Sequence, residues 1–250
     1  VLFQELEHRL AKQDVRLFKK TAVETVVMDN GCVAGLRVNG ETLPYTDVIV
    51  CTQLPDFIDL INGGPTDYRS RLSTIGFLGN ATLVMRLNHR LSDTYWVNIT
   101  DPQCPFVGVI EQTNLLNESH YGGNHLAYIS RYMDVDDPLY SLSDNALFDL
   151  YYPWLQKVFP AFRREWIEEV MVWRDPHSQA VVSVGYSDTI PAMRTPVEGL
   201  YLSTMAQIFP EDRQMSNGVK FAKQAAMCVL ERKRNESGPI DEDRRRSCGV

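Results

Sequence analysis

The chain has 250 residues, of which 44% are hydrophobic and 23% charged, enough to bury a core in one or two globular domains and too apolar for global disorder. A net charge of −7 with no Lys/Arg-rich face ahead of an aromatic run excludes a nucleic-acid groove, and no apolar stretch reaches the roughly 18 to 20 residues of a membrane span. The first residues lack the basic-then-apolar order of a signal peptide, so the expected location is cytoplasmic. The five cysteines lie far apart without a CxxC pair, which argues against a zinc site and for reduced thiols.

The chain opens inside a helix over residues 1–12, with Leu2, Phe3, Leu6 and Leu10 on one face, and so reads as a truncated product. A short strand is expected at Val15 to Phe18. Strands at Val23 to Met28 and Cys32 to Val38 are joined by Asp29-Asn30-Gly31, a hairpin signal because Asn-Gly tolerates positive φ. Asn39-Gly40 makes a second such turn, and the unbroken apolar run Val48 to Cys51 predicts a strand buried on both faces, stopped by Pro55. A short helix from Asp56 ends at Gly63-Gly64-Pro65, and a domain boundary is placed there.

Strand-like runs then recur at Thr82 to Leu87, Tyr95 to Ile99, Phe106 to Ile110 and His125 to Tyr132, which fits an antiparallel sheet with one covered face. Ser143-Asp144-Asn145 supplies caps for a helix from Ala146 to about Val158, bent at Pro153. Ile167 to Trp173 and Leu200 to Ser203 read as strands. A last helix, Asn217 to about Arg232, carries small residues that allow close packing, and the polar residues 233–250 read as a disordered tail.

Several segments in a fixed order carry a resemblance. They are Tyr95-Trp96-Val97-Asn98, Pro105 to Asn114, Tyr121-Gly122-Gly123, Thr195 to Leu202 and Gln207 to Arg213. Together with the strand ending in Cys51-Thr52-Gln53-Leu54-Pro55, they resemble FAD-dependent oxidoreductases of the amine-oxidase and protoporphyrinogen-oxidase type, over residues 1 to about 232. The resemblance implies a mixed α+β / α/β fold. In it, residues 1–66 and 178–232 form a partial FAD-binding (GR2-type) domain, and residues 67–177 form an inserted antiparallel-sheet substrate domain. The superfamily's GxGxxG turn is absent from this sequence, so the chain corresponds to a C-terminal portion.

The implied cofactor is FAD and the implied partner a small-molecule substrate. By the resemblance Val23 holds the adenine through its backbone, Cys51 and Thr52 pass beside the dinucleotide, and the segment from Arg213 past Ser216 and Asn217 brings helix-start amides to the flavin. A helix start suits an electron-rich flavin oxygen because its free N–H groups carry partial positive charge, and Asn217 is a cap candidate. Met205 follows Thr204 where relatives carry Gly-Asp, so a carboxylate contact falls to Asp212. No catalytic residue is assigned. Glu111 and Asn114, at the end of an apolar strand, and Tyr186 are the candidates for facing the flavin.

The five histidines form no metal-binding pair, although His177 lies where the chain returns to the FAD domain. Trp96, Trp154, Trp166 and Trp173 read as core and inter-strand packing. The expected reaction is hydride transfer from substrate to flavin. A UDP-sugar-mutase-like flavoprotein is a variant needing basic residues, for which Arg69, Arg71, Arg86 and Arg90 are dispersed. The rival from another class is a truncated, non-catalytic binding module.

Overall fold

The structure is a computed structural model and describes residues 2–236, which divide into two compact units, residues 2–74 with 185–236 and residues 75–184. The unit limits fall several residues after the boundaries at 66/67 and 177/178 read from the sequence. The glycine-rich stop at Gly63-Gly64 is followed at once by another helix that belongs to the first unit, and the strand expected to end at Trp173 runs on to Ala180.

The first unit begins with helix α1 (Leu2–Ala11), none of whose residues is buried. The segment after it forms no strand, and Val15, Leu17 and Phe18 are exposed, because no strand among the described residues pairs with them and the Val15 N–H turns back to the Leu10 carbonyl. Strands β1 (Thr25–Asp29), β2 (Cys32–Val38) and β3 (Glu41–Pro44) make an antiparallel meander. Both of its turns place Asn-Gly in the left-handed region, at φ 48° and 80° for Asn30-Gly31 and 51° and 78° for Asn39-Gly40. Strand β4 (Val48–Val50) follows, then α2 (Leu54–Leu60), started by Pro55, and α3 (Thr66–Leu72).

The second unit is a five-stranded sheet built from β5 (Phe77–Leu87), β6 (Trp96–Asn98), β7 (Gly108–Glu111), β8 (His125–Met133) and β9 (Ile167–Ala180), in the order β6-β7-β8-β5-β9 with every pairing antiparallel. Alternation along β5 sends Ala81, Leu83, Met85 and Leu87 to one face, where they are fully buried with Ala127 and Ile129 of β8. Helix α4 (Asp144–Val158) supplies Leu147, Tyr151 and Leu155 to that core, with Phe106 and Phe162 filling its edges. Ser143 caps α4 by accepting from the Ala146 N–H, and Arg174 of β9 fastens the helix start by donating to the carbonyls of Tyr140 and Leu142 and pairing with Asp144. Trp154 and Trp166 pack against this core as expected, but Trp96 and Trp173 do not, being 53% and 67% exposed on the opposite face of the sheet.

Returning to the first unit, a single turn α5 (Tyr186–Thr189) precedes β10 (Leu200–Leu202) and the long helix α6 (Met215–Glu236). Strand β10 pairs in parallel with β4, in the register Leu200 to Val48, Tyr201 to Ile49 and Leu202 to Val50. The far edge of β4 is open, since Ile49 has no main-chain partner there among the described residues and its side chain is 38% exposed. Gly199 enters β10 at φ +80°, and a Cβ there would stand 2.2 Å from the Thr46 carbonyl oxygen, so only glycine lets the two strands start side by side. Helix α6 starts two residues earlier than the sequence suggested, which places Asn217 inside its first turn and not at the cap. It also runs past Lys233 to Glu236, so residues 233–236 are helical, while the rest of the expected tail lies outside the described residues.

Charge fixes α6 on the strands. Arg232, largely buried, donates to Asp47 at 2.8 Å and to the Thr46 carbonyl and lies 3.4 Å from Glu198, with Lys233 3.1 Å from Asp47. Burial alone would raise the Asp47 carboxyl, but hydrogen bonds from Lys233 and Arg232 outweigh it and hold the group below the ordinary carboxylate value. Cys51, Cys104 and Cys228 are free thiols. No helix among the described residues is long and apolar enough to cross a membrane.

The Asp47 cluster generates a stability prediction. Because the folded carboxyl titrates lower than the unfolded one, its stabilisation is complete above the unfolded value of about 3.9 and is lost as pH falls through the folded value. Urea unfolding at neutral pH should show Arg232→Met less stable by roughly 3 kcal/mol, the low end for a broken buried pair because Lys233 remains. Asp47→Asn should lose stability at pH 7 and flatten the acid limb of the pH profile, whereas an unchanged acid limb would remove the cluster from this role.

Candidate functional site

Two parallel strands that end together leave their last amides and the chain beyond them facing one crevice, which is where open α/β sheets bind ligands. In the first unit β4 runs out into Cys51-Thr52-Gln53 and β10 into Ser203-Thr204-Met205. These six residues line a cavity of about 330 Å³, closed on its other side by Ile208 and by Gly218, Phe221 and Ala222 from the first turns of α6. Gly218, in the first turn of α6, leaves that side of the cavity without a side chain. A Cβ at that position would stand 3.6 Å from the Met205 methyl. The volume lies at the low end of ligand pockets, about 300–1,000 Å³.

The walls are held from behind. Thr204 and Gln207 form a reciprocal cap in which the Gln207 side chain accepts from the Thr204 N–H at 2.8 Å and donates to the Pro191 carbonyl at 3.0 Å. The Tyr186 hydroxyl, buried, donates to the Ala206 carbonyl at 2.6 Å, and burial pushes its ionisation up. Tyr186 thus braces the loop after β10 from below. In front of α6, the Asn217 side-chain amide donates to Glu211, whose other oxygen lies 3.7 Å from Lys220. The Asn217 and Gly218 N–H groups both donate to the Gln214 carbonyl, which leaves those of Met215 and Ser216 as the amides not spent within the turn.

Of the residues singled out in the sequence, the fold brings Cys51, Thr52 and Met205 together in the cavity wall. Ser216 and Asn217 sit on the turn of α6 that contributes Gly218. Val23 lies ahead of β1 and Asp212 and Arg213 lie in the turn before α6, all outside the lining, with Asp212 accepting from the Arg213 N–H at 2.8 Å. Sequence reasoning passed over Gln53, Thr204, Ile208 and Phe221.

Glu111 and Asn114 belong to the second unit, where their polar atoms are committed to the loop before β6. Glu111, 1% exposed, accepts from the main-chain N–H groups of Leu91 and Ser92 at 2.8 and 2.9 Å. Asn114 donates to the Ser92 and Thr94 carbonyls at 2.9 and 3.0 Å and accepts from Arg90. This arrangement gives the pair the work of a clasp. His177 stacks edge-on against Phe77. The four dispersed arginines form no cluster, since Arg69 donates to the Asn62 carbonyl, Arg71 lies over the Tyr68 ring, Arg86 pairs with Glu169 and Arg90 with Asp93.

No protein-family profile and no curated protein matches the chain. Solved structures do. An oxidoreductase from Methanosarcina mazei superposes with a TM-score of 0.69 at 18% identity, over 91% of this chain and 53% of its own. A proposed protoporphyrinogen oxidase from Exiguobacterium sp. 255-15 gives 0.67 at 16% identity, over 91% and 51%. A putrescine oxidase variant with redesigned cofactor binding gives 0.68 at 12% identity, over 92% and 52%. The chain shares the fold of these oxidoreductases. It spans about half the length of each, and at such identities the likeness is one of fold.

The cavity also carries a thiol. Cys51 is an exposed residue, yet the cavity wall desolvates its thiol enough to push it above the ordinary thiol value, partly offset by a hydrogen bond with Ser203. Since the thiolate is the nucleophile, iodoacetamide should label Cys51 slowly at pH 7 and faster only above the usual thiol range. Mass mapping against Cys51→Ser checks this, and rapid labelling at pH 7 would show a thiol that is not raised by its surroundings.

Proposed function

We propose that the chain is part of an FAD-dependent oxidoreductase of the amine-oxidase type, in which the first unit holds part of FAD and the second binds a small-molecule substrate. The observation that carries this reading is the cavity at the carboxyl ends of β4 and β10, floored by the small residues of α6. When bound, the flavin supplies the redox chemistry by accepting a hydride from a substrate C–H bond.

The chain's own residues have physical tasks in that scheme. The main chain at Cys51-Thr52 and at Ser203-Thr204, where the two strands run out, would hold the ligand from the strand ends. Gly218 and Ala222 admit a flat ring against the helix, and Phe221 and Ile208 exclude water beside it. The Met215 and Ser216 amides, at the positive end of a 22-residue helix with no acidic residue in its first turn, would favour negative charge on a group bound near the helix start. No ionised side chain lines the cavity, so the work is orientation and desolvation. A sugar-nucleotide mutase reading needs a basic cluster for a pyrophosphate, and the arginines that would supply one are each engaged elsewhere.

Flavin fluorescence quenching tests the proposal, with FAD titrated into this chain and into one extended upstream by a nucleotide-binding βαβ unit. Saturable quenching is expected, tighter in the extended form, and Gly218→Leu should weaken it at least tenfold by filling the cavity. Absence of quenching in both forms would sink the cofactor assignment.

A further inference from the structure

The two-stranded sheet of the first unit is unfinished on one side. The Val48 N–H donates to the Gly199 carbonyl and the Val50 carbonyl accepts from the Ser203 N–H, so these two residues of β4 spend their main chain on β10. Alternation along the strand then turns the Ile49 N–H and C=O the other way, to the edge where they meet no main-chain partner among the described residues. The Ile49 side chain points to the face that α6 covers, because Asp47, two residues before it, reaches Arg232 and Lys233 of that helix. It is nevertheless 38% exposed, whereas its register partner Tyr201 on β10 is 2% exposed.

Two ion pairs show which flank of α6 overhangs that edge. Glu231 pairs with Arg194, whose main chain bridges to Tyr201, and so marks the β10 side of the helix. Lys233, two residues or roughly 200° further around, pairs with Asp47 and marks the β4 side. Stepping back from Lys233 by threes and fours leads to Leu230, Ala226, Ala222, Val219 and Met215, which therefore share its flank. All five are apolar and exposed. Ala222 also lines the cavity beside Cys51 and Thr52, at the end of β4. An apolar flank about four turns long thus stands over a strand edge whose main chain is unpaired.

Edge and flank together select the occupant. The unpaired main chain of Ile49 calls for an extended backbone, and a strand added there lies about 4.8 Å beyond β4, beneath the side of a helix about 10 Å wide. Its side chains on that face are apolar, since none of the five flank positions is ionised, and Ala222 and Ala226 leave room for branched ones. We infer that this step is the docking surface for a β-strand of a further α/β segment, which continues the sheet on the side of β4 away from β10. The solved structures that share this fold favour such a segment over a second copy of the chain, because nearly half of each lies outside the part that overlays this one.

The inference rests on the shared fold and not on flavin chemistry, so it is tested without FAD. Hydrogen–deuterium exchange is followed at the Ile49 amide in this chain and in the form extended upstream by an α/β unit. Exchange at Ile49 is expected to be roughly a hundredfold slower in the extended form, while Val48, already bonded to β10, is protected in both and reports that the pair is intact. Ala226→Glu should abolish the gain at Ile49 and lower the urea midpoint of the extended form alone, since Ala226 is exposed in this chain. Fast exchange at Ile49 in both forms, or a gain that Ala226→Glu leaves intact, would overturn it. So would slow exchange in this chain by itself with a doubled mass in sedimentation, which would make the occupant a second copy. Protection of Ile49 in an extended form that fails to quench FAD would keep the surface and discard the flavin reading, whereas FAD quenching with Ile49 unprotected would do the reverse.

Discussion

The first unit depends on a parallel pairing only three residues long. Strands β4 and β10 are joined across about 150 residues of chain, and their register aligns two carboxyl ends so that Cys51 and Ser203 open onto the same space. Nothing local enforces this. Gly199 permits the approach, and the buried charges of Asp47 and Arg232 lock α6 onto it. Losing the pairing would separate the cavity walls, because each wall hangs from the end of one strand.

The second unit is organised by the opposite logic. Its sheet is long, antiparallel and covered on one side by α4, so its stability comes from apolar area around Leu83, Met85, Ile129 and Tyr151. The other side is released from packing duty. There the rings of Trp96 and Trp173 stay exposed and the Asn80-Thr82-Ser130 triad satisfies its own polar atoms without help from solvent. Core and opposite face thus alternate residue by residue along the same strands.

Much of the architecture was legible in the sequence because it rests on local signals. The two Asn-Gly turns, the Ser143 cap and the alternation in β5 and β8 each have a short-range cause, and each element formed near its expected place. The errors came where tertiary context decides. Val15 to Phe18 has strand composition but no partner strand, and α3 hides behind a glycine-rich stop. At the candidate site, Cys51, Thr52 and Met205, singled out by the resemblance, line the cavity, whereas Phe221 is an ordinary helical residue until the helix is docked. Glu111 looked free to act because the sequence does not show that the loop at Leu91-Ser92 folds back onto it. Trp96 and Trp173 were misjudged for a related reason: composition says how apolar a ring is, not which side of a sheet it occupies.

The antiparallel register that joins Phe77 to Ala180 brings the two ends of the second unit within one strand spacing of each other. Once that sheet has folded, the segment linking β4 to β10 behaves as a far shorter loop, cutting the closure entropy of the parallel pair by roughly 1 kcal/mol. Order of assembly follows from this. The meander of β1 to β3 can form on its own from near neighbours, the 75–184 sheet next, and the β4–β10 pair last, so the unit inserted in the chain acts as the splint on which the crevice is set.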